Sequence, residues 1–444
     1  MTNARYFKHV LPIAFSLLVL SAGTGCQHSV MTAPTTKSSS LDDVARSYVR
    51  LVLALGEHDA SYVDAYYGPP EWREQVKAEK KPLATIRQDA ELLVSDIDHT
   101  SVKGTEQLVN LRRVYLRTQL RALIARTEML GGKKFTFEEE AQALYDAQPP
   151  RVPTSKFDAV LARLAVLLPG EGPLAARYEA FRKDFTIPKE KVDTVFTAAI
   201  AEARRRTLRH IDLPARETFA VEYVTGKSWS AYNWYKGNSY SVIQVNTDLP
   251  ISIDKIIHLA VHEGYPGHHV YNALLEQRLV RDRGWVEFTV YPLFTPQSLI
   301  AEGSANYGVE LAFPADDRLK FARDVLFPLA GLDPSRAESF FVVQNLLTEL
   351  KYARNEAARQ YLNGTIDAEA ATEFQTKYSM MTRGDAARST RFFDDYRSYV
   401  INYNLGEDLI RRYMESKAGS GGEERKWKEF EALLSSPRLP STLR

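Results

Sequence analysis

Residues 262–269 have the sequence His262-Glu263-Gly264-Tyr265-Pro266-Gly267-His268-His269. The chain has nine histidines in 444 residues, and four of them lie within twelve positions, since His258 comes shortly before this stretch. Neutral imidazole is a common ligand of zinc-like metals, and a carboxylate directly after a ligating histidine is placed to take a proton from metal-bound water. The stretch therefore predicts half of a hydrolytic metal site.

The spacing of these histidines differs from the simple His-Glu-x-x-His pattern of zinc hydrolases. His268 follows His262 by six positions, so a regular helix would turn His268 about 120° away from the face of His262. However, Pro266 cannot continue a regular helix and Gly267 tolerates unusual backbone angles, so we expect the helix to bulge here. The bulge makes His268 the preferred second ligand. His269 is the alternate, back on the same face but about 10 Å along the axis.

Catalytic zinc usually takes three protein ligands and a water molecule, so one more ligand is expected. Glu302 is the best candidate, in a predicted helix that follows Pro296 and is rich in Ala, Gly and Ser. Small residues let a second helix approach closely, and a carboxylate among them needs a charged partner or a metal. The alternative is an ordinary surface glutamate. Glu310 is interpreted as a helix surface charge, and His258 as a core or neighbouring residue rather than a ligand.

The rest of the chain has a mainly α-helical pattern. From Leu41 onwards apolar residues recur at spacings of three and four, which is typical of amphipathic helices. Three short runs with an alternating, β-branched pattern predict one small antiparallel sheet directly before the histidine-rich stretch. The predicted helical stretches are 41–55, 106–130, 155–167, 172–184, 189–209 and most of 252–444, and the predicted strands are 218–224, 232–235 and 240–245.

The first 40 residues are predicted to be an export signal and a tether. Residues 1–25 have a basic start, a short apolar run and a segment of small residues, which is the layout of a secretory signal peptide. Cys26 resembles the lipidated first residue of a mature bacterial lipoprotein; the alternative is a thiol in a discarded peptide. Residues 26–40 are polar and small, and predict a flexible tether. We expect an exported, lipid-anchored protein, and Gln27 favours the outer membrane, facing the periplasm.

Charge and cysteine content exclude several classes of protein. The net charge is +1 and no basic tract occurs, which argues against a nucleic-acid partner. No later apolar run is long enough to cross a bilayer, so membrane attachment is expected only through the lipid. Cys26 is the only cysteine, so no internal disulfide can form. Residues 41–444 are therefore predicted to be a helical domain stabilised by its core.

Three motifs resemble those of a family of bacterial secreted proteins and lipoproteins that look like zinc-dependent peptidases of the gluzincin type. Residues 262–269 match the family's His-Glu-x-x-Pro-Gly-His-His motif in full. Glu302-Gly303-Ser304-Ala305 with Tyr307 matches its Glu-Gly-Trp-Ala motif, except that Ser304 replaces Trp. Tyr403-Asn404-Leu405-Gly406 matches its Tyr-x-x-Gly motif. The eight-residue motif is specific, whereas the other two would be weak by themselves.

The resemblance implies a helical, zincin-like body of two lobes around a deep cleft. It also implies a short sheet whose edge strand lines the cleft, and the run Tyr240–Val245 is in the right place for that strand. An extended peptide could add to such an edge through backbone hydrogen bonds, with Tyr240 among the substrate-binding residues. The replacement of Trp by Ser304 leaves room beside Glu302, which changes the expected pocket shape.

The predicted mechanism is that of a zinc hydrolase. Glu263 would act as the general base towards metal-activated water, and Tyr403 would donate to the oxygen on which charge develops. Arg391 and Arg397 could hold a substrate carboxylate bidentately. The alternatives are a tyrosine packed in a helical core and two arginines on a charged helix surface.

The sequence leaves three functions open. The leading one is a zinc peptidase acting on short peptides. The second is a zinc amidohydrolase acting on another amide, such as a cell-wall fragment, and the third is a non-catalytic binding lipoprotein. Zinc is the expected cofactor because two histidines and one carboxylate suit it, although the residues do not separate zinc from another divalent ion.

Overall fold

The computed structural model describes residues 40–99, 106–227 and 229–443. The predicted signal peptide, Cys26 and all but the last residue of the predicted tether lie outside these residues. The prediction of a mainly helical chain with only small sheets is confirmed. Among the described helices, none combines the length and apolar composition that crossing a bilayer requires.

The N-terminal part of the chain is a series of helices that begins where the sequence pattern becomes helical. The Ser40 side chain accepts from the backbone N–H of Asp43, and the Asp43 carboxylate accepts from the Ser40 N–H, which satisfies two free donors of the first turn. The helices are α1 (Leu41–Gly56), α2 (Pro70–Glu79), α3 (Leu83–His99), α4 (Gln107–Leu130), α5 (Phe137–Tyr145), α6 (Thr154–Leu167), α7 (Leu174–Lys183) and α8 (Val192–Thr207).

The C-terminal part contains the helices that carry the predicted site. They are α9 (Ile253–Leu259), α10 (His268–Leu275), α11 (Pro296–Ala312), α12 (Ala315–Phe321), α13 (Phe327–Ala330), α14 (Ala337–Thr348), α15 (Ala353–Leu362), α16 (Ala368–Tyr378), α17 (Arg383–Tyr396), α18 (Ile401–Ala418) and α19 (Gly422–Leu434). A wider π-helical turn, Ala260–Gly264, follows α9 directly, and a 3-10 turn, Arg397–Val400, precedes α18.

In the described part of the chain, five strands form two small sheets. They are β1 (Val63–Tyr66), β2 (Thr218–Val224), β3 (Ala231–Tyr235), β4 (Tyr240–Asn246) and β5 (Val290–Pro292). β1 and β5 pair antiparallel. In the second sheet the order is β2-β4-β3, with β2 parallel and β3 antiparallel to β4. The prediction of a purely antiparallel sheet is therefore wrong for the β2–β4 pair.

The strand order has a simple physical reason. Residues 225–230 join β2 to β3, and six residues easily span the roughly 10 Å between strands that flank a third one. The Asn246 side-chain amide donates to the carbonyls of Lys227 and Trp229, which holds these two residues at the end of β4. As a result β4 is the central strand and β3 is an edge strand, so the prediction that Tyr240–Val245 forms the edge is wrong.

Small residues bring three site-bearing segments close together. A Cβ atom on Gly303 of α11 would lie 2.4 Å from the backbone carbon of Gly406 of α18. A Cβ on Gly308, further along α11, would lie 3.3 Å from Pro266, just before α10. α11 is therefore packed between α18 and the histidine-rich segment, as its small residues predicted, and one continuous buried cluster extends across these elements.

Candidate metal centre

The histidine-rich segment bends where the sequence predicts a bulge. After α9, the wider turn Ala260–Gly264 carries His262, and α10 begins at His268. The Gly267 N–H donates to the Val261 carbonyl over 3.0 Å. A Cβ on Gly267 would lie 2.0 Å from the His262 carbonyl oxygen, so only glycine fits at this point of the bend. The bend turns the His268 ring back towards the ring of His262.

Three side chains converge on one point. The Nε2 atoms of His262 and His268 are 3.1 Å apart, and Glu302 Oε2 lies 3.2 Å from the first and 3.7 Å from the second. Ligands bound tetrahedrally to zinc at its usual bond lengths are separated by about 3.3 Å. These three residues form the single group of metal-ligating type in the described part of the chain whose donor atoms converge in this way. The spacing fits a tetrahedral divalent ion.

The hydrogen bonds around His262 indicate which of its nitrogens carries the proton. The Asn306 side-chain amide donates to the Tyr403 carbonyl over 2.6 Å, so its oxygen faces His262 Nδ1, 2.9 Å away. His262 Nδ1 must then be the donor, which leaves a lone pair on Nε2. That lone pair points at the carboxylate of Glu302. A cation between the two groups would satisfy both.

Glu302 is buried but only half satisfied by the protein. Its Oε1 accepts from the Tyr399 hydroxyl over 2.8 Å, whereas Oε2 has no hydrogen-bond partner among the described residues. Burial alone would raise the pKa of Glu302, but positive charge at the two neighbouring imidazoles lowers it below its usual range, and a cation bound between these groups would have the same effect. The carboxyl is therefore ionised, and its free oxygen points to where a metal would bind.

The His269 side chain does not reach the point where His262, His268 and Glu302 converge. Its Nδ1 lies 2.9 Å from Ser241 Oγ and its Nε2 lies 3.0 Å from Glu217 Oε2. Glu217 also accepts from the Tyr265 hydroxyl and from Arg204, each over 2.6 Å. Both ring nitrogens of His269 are thus engaged in a separate buried network. The geometry favours His268 over its alternate.

His258 and Glu310 lie where the sequence analysis expected them. The His258 ring stacks on that of His262 at a centroid distance of 5.0 Å, and burial lowers the pKa of His258 well below its usual value. His258 is therefore neutral and adjoins the triad without belonging to it. Glu310 is exposed and pairs with Arg411 over 2.8 Å.

A cavity of about 460 Å³ opens at the triad, a volume within the usual range for small-molecule sites. Glu263 and Tyr403 both line it, as do Asp64, Tyr232 and Arg354. The Glu263 backbone carbonyl accepts from the Asn233 side chain over 2.7 Å, which ties the metal-binding turn to β3. The candidate base and the candidate phenol thus border the same space as the three convergent ligands.

The phenol of Tyr403 stays protonated in this environment. Burial, followed by the negative charge of Glu302, raises its pKa well above the usual value. Among the described residues no group bonds to its hydroxyl, so the O–H is free to donate into the cavity. This is the property required of a donor to a developing oxyanion.

Three predicted substrate-binding residues lie elsewhere. Tyr240 is 36% exposed at the start of the central strand β4 and does not line the cavity. Arg391 is exposed on α17 and is also outside it. Arg397 is bound to Glu140 over 2.6 Å, so its charge is already paired. The structure does not bring these three residues to the cavity, and the sequence pattern alone did not reveal which face of each helix or strand borders it.

Sequence reasoning missed several residues that the structure brings to the cavity or to the metal ligands, among them Tyr399, Arg354 and Asn306. Tyr399 lies four residues before Tyr403, and Asn306 lies four after Glu302, so each is one helical turn from a predicted residue. That spacing was an available signal. No comparable signal identifies Arg354 among the 57 lysines and arginines of the chain.

Neither a protein-family model nor a curated protein sequence matches this chain. Its fold is similar to that of a predicted lipoprotein from Colwellia psychrerythraea, with a TM-score of 0.51 and 14% identity over 91% of this chain and 75% of the other. A predicted lipoprotein of unknown function from Shewanella oneidensis gives a TM-score of 0.47 and 12% identity, over 92% of this chain and 88% of the other. An M32 carboxypeptidase from Deinococcus radiodurans R1 gives a TM-score of 0.34 and 12% identity, over 88% of this chain and 89% of the other. At these identities the likeness concerns the fold alone.

Proposed function

We propose that this protein is a zinc-dependent hydrolase of the gluzincin type that cleaves peptide bonds in short peptides. One observation carries the proposal: two imidazole nitrogens and a carboxylate oxygen lie 3.1 to 3.7 Å from one another. The proton of His262 is on Nδ1, so no hydrogen bond joins its Nε2 to the carboxylate of Glu302. Such a group is costly in a protein interior unless a cation satisfies it. His262, His268 and Glu302 would hold the metal.

The metal, when bound, would lower the pKa of a water molecule and polarise a substrate carbonyl. Glu263 follows His262 directly and borders the cavity, so its carboxylate can take the water proton and pass it to the leaving amine. Asn233 binds the Glu263 backbone carbonyl, which restrains the position of this residue. Glu263 is therefore the general base of the proposed reaction.

Two tyrosines have different parts in the proposal. Tyr403 lines the cavity and its phenol is protonated, so its hydroxyl can donate to the carbonyl oxygen as negative charge develops there. Tyr399 instead donates to Glu302 and holds that carboxylate in position. Tyr403 would act on the substrate, and Tyr399 on the metal ligand.

The cavity also favours an extended peptide over a folded protein. β3 is an edge strand, and four of its five residues line the cavity beside the triad. An extended peptide could add to this edge through backbone hydrogen bonds, as peptides do on exposed strands in other proteins. The volume of about 460 Å³ admits only a short segment.

The likeness to the fold of a predicted lipoprotein supports an exported protein attached to the membrane by lipid on Cys26. Placement in the outer membrane, facing the periplasm, is part of the proposal. Labelling of cells with a radioactive fatty acid tests the anchor directly. We expect label in the native protein and none in Cys26→Ser, and equal labelling of both would exclude Cys26.

The function is tested by metal analysis followed by digestion of a mixed peptide library, with products identified by mass spectrometry. We expect about one zinc per chain and cleavage of short peptides. Glu263→Gln should keep its zinc and lose about 10²- to 10⁴-fold in turnover, the usual contribution of a general base. A Glu263→Gln protein with normal turnover would exclude the assignment.

The same experiment separates the two other functions that the sequence leaves open. Zinc binding with cleavage of cell-wall amides and not of peptides would indicate an amidohydrolase. Zinc binding without cleavage of either set would indicate a binding lipoprotein.

A further inference from the structure

Two cationic side chains in the cavity have no carboxylate partner among the described residues. They are Arg354, at the start of α15, and Lys255, on α9. A third cation of the cavity, Arg388, is paired with Asp385. A partly buried cation without an anion is unfavourable, so each of the first two indicates a place where an anionic group could bind.

Arg354 is held in a fixed orientation. Its Nε donates to Ser389 Oγ over 2.9 Å, and Ser389 in turn donates to Gln375 over 2.6 Å. The guanidinium lies 4.5 Å above the ring of Phe392. Within residues 40–99, 106–227 and 229–443, neither Nη atom has a hydrogen-bond partner. One edge of the guanidinium is thus anchored, and the terminal nitrogens are free to bind a planar anion bidentately.

The surroundings of the two cations differ. Lys255 is within electrostatic range of Asp254 and Glu263, whose charges favour its protonated form, although burial lowers its pKa. Burial lowers the pKa of Arg354 as well, and no carboxylate among the described residues opposes this. Arg354 therefore has the greater need of an anion from outside the protein.

The charge of the whole cavity points the same way. Its carboxylates other than Asp385 are Asp64, Glu263 and Glu302. Burial raises the pKa of Asp64 to about 6, so this carboxyl is mostly ionised near neutral pH and the three groups together carry at most three negative charges. Once a divalent ion is bound, the ion together with Lys255 and Arg354 exceeds the negative charge of these groups. A loaded cavity would favour an anionic ligand.

We propose that Arg354 binds the free C-terminal carboxylate of the peptide substrate, so that the enzyme cleaves close to the C-terminus. This inference rests on the proposed function. Tyr403 is within electrostatic range of both Glu302 and Arg354, so a carboxylate on Arg354 would lie near the end of the cavity where Tyr403 meets the carbonyl under attack. Cleavage consumes one water: its oxygen joins the carbonyl carbon as the C–N bond breaks, and its protons go to the released amine and to buffer or enzyme groups.

The test measures binding as well as cleavage. Zinc-loaded Glu263→Gln protein is titrated by calorimetry with tri-alanine and with tri-alanine carrying a C-terminal amide, which differ only in the terminal charge. We expect the free acid to bind roughly 10- to 100-fold more tightly, as a hydrogen-bonded charge pair would give. Adding Arg354→Met should abolish the difference, and Arg354→Lys should restore only part of it.

The matched control is Arg391→Met, since this arginine is exposed on neighbouring α17 and outside the cavity. It should keep the full preference for the free acid. Equal dissociation constants for the two peptides, or no binding of either up to millimolar concentrations, would overturn the proposal. So would loss of the preference in Lys255→Met but not in Arg354→Met. Unchanged melting temperatures would confirm that the variants fold.

Failure of this inference and failure of the proposed function are distinguishable. If the native protein prefers the free acid in an Arg354-dependent way but cleaves neither peptide, the carboxylate-binding site stands and the proposed peptidase function is excluded. If the protein cleaves the acid and the amide at equal rates, the peptidase function stands and the carboxylate-binding site at Arg354 is excluded.

Discussion

Two adjacent histidines, His268 and His269, belong to two buried networks of opposite character. His269 and Glu217 form a network in which donors and acceptors match, with Tyr265 and Arg204 donating to the remaining lone pairs of the carboxylate. Beside His268, the lone pair of His262 Nε2 faces the carboxylate of Glu302, and one oxygen of that carboxylate has no hydrogen-bond partner among the described residues. The difference separates a network that stabilises the fold from one that is completed by a bound cation.

The strongest test of this comparison is substitution of each histidine. His268→Ala should lose zinc and reduce hydrolysis to background, because two ligands do not hold a catalytic zinc, while the melting temperature of the metal-free protein changes little. His269→Ala should keep the zinc but lose on the order of 3 kcal/mol of stability, because Glu217 loses a buried partner. Metal analysis and urea unfolding measure the two effects. If instead His269→Ala lost the zinc and His268→Ala lost the stability, His269 would be the metal ligand and His268 the structural histidine.

The two tyrosines near Glu302 give a second, smaller contrast. Tyr403→Phe should keep its metal and lose about 10²- to 10³-fold in kcat, the usual effect of removing one oxyanion donor. Tyr399→Phe should weaken zinc binding by about 10- to 100-fold, because it removes the partner that orients Glu302, and excess zinc should restore most of the activity. Activity measured against zinc concentration separates them. If excess zinc restored the activity of Tyr403→Phe, Tyr403 would act on the metal ligand Glu302 and not on the substrate.

These residues also illustrate what a sequence can predict about such a site. The triad could be found because its signals are local: clustered histidines, a Pro-Gly break and a glutamate among small residues. The edge strand could not, because a six-residue connection permits either a hairpin or a crossing over β4. Nor could Arg354 be told from Arg391 or Arg397. Which arginine faces the cavity depends on how α15 and α17 pack, and no short-range pattern determines that packing.

Packing between the helices that carry the site allows a further prediction. Gly303→Ala should destabilise the protein by about 1 to 3 kcal/mol, because its Cβ would lie 2.4 Å from the Gly406 backbone and force α11 and α18 apart. The control is Gly384→Ala on α17, where the nearest atom would be 3.8 Å away. Alanine favours a helix over glycine, so the control should be neutral or slightly stabilising. Equal stabilities of the two variants in thermal unfolding would show that the helices do not depend on this contact.

The smallest expected effect concerns a cluster that, like that of His269, has matched donors. Partial burial raises the pKa of Glu138, but hydrogen bonds from Arg359 and Asn363 hold it at about 2. Because the folded pKa lies below the unfolded value, the stability from this carboxylate is present above about pH 4.5 and is lost as the pH falls towards 2. Glu138→Gln should be less stable than the native protein by about 1 kcal/mol at pH 7, with the difference shrinking between pH 4.5 and 2. Urea unfolding across this range measures it. A difference that stayed constant down to pH 2 would mean that the charge of Glu138 contributes nothing, and that matched donors and acceptors alone account for the stability of this cluster.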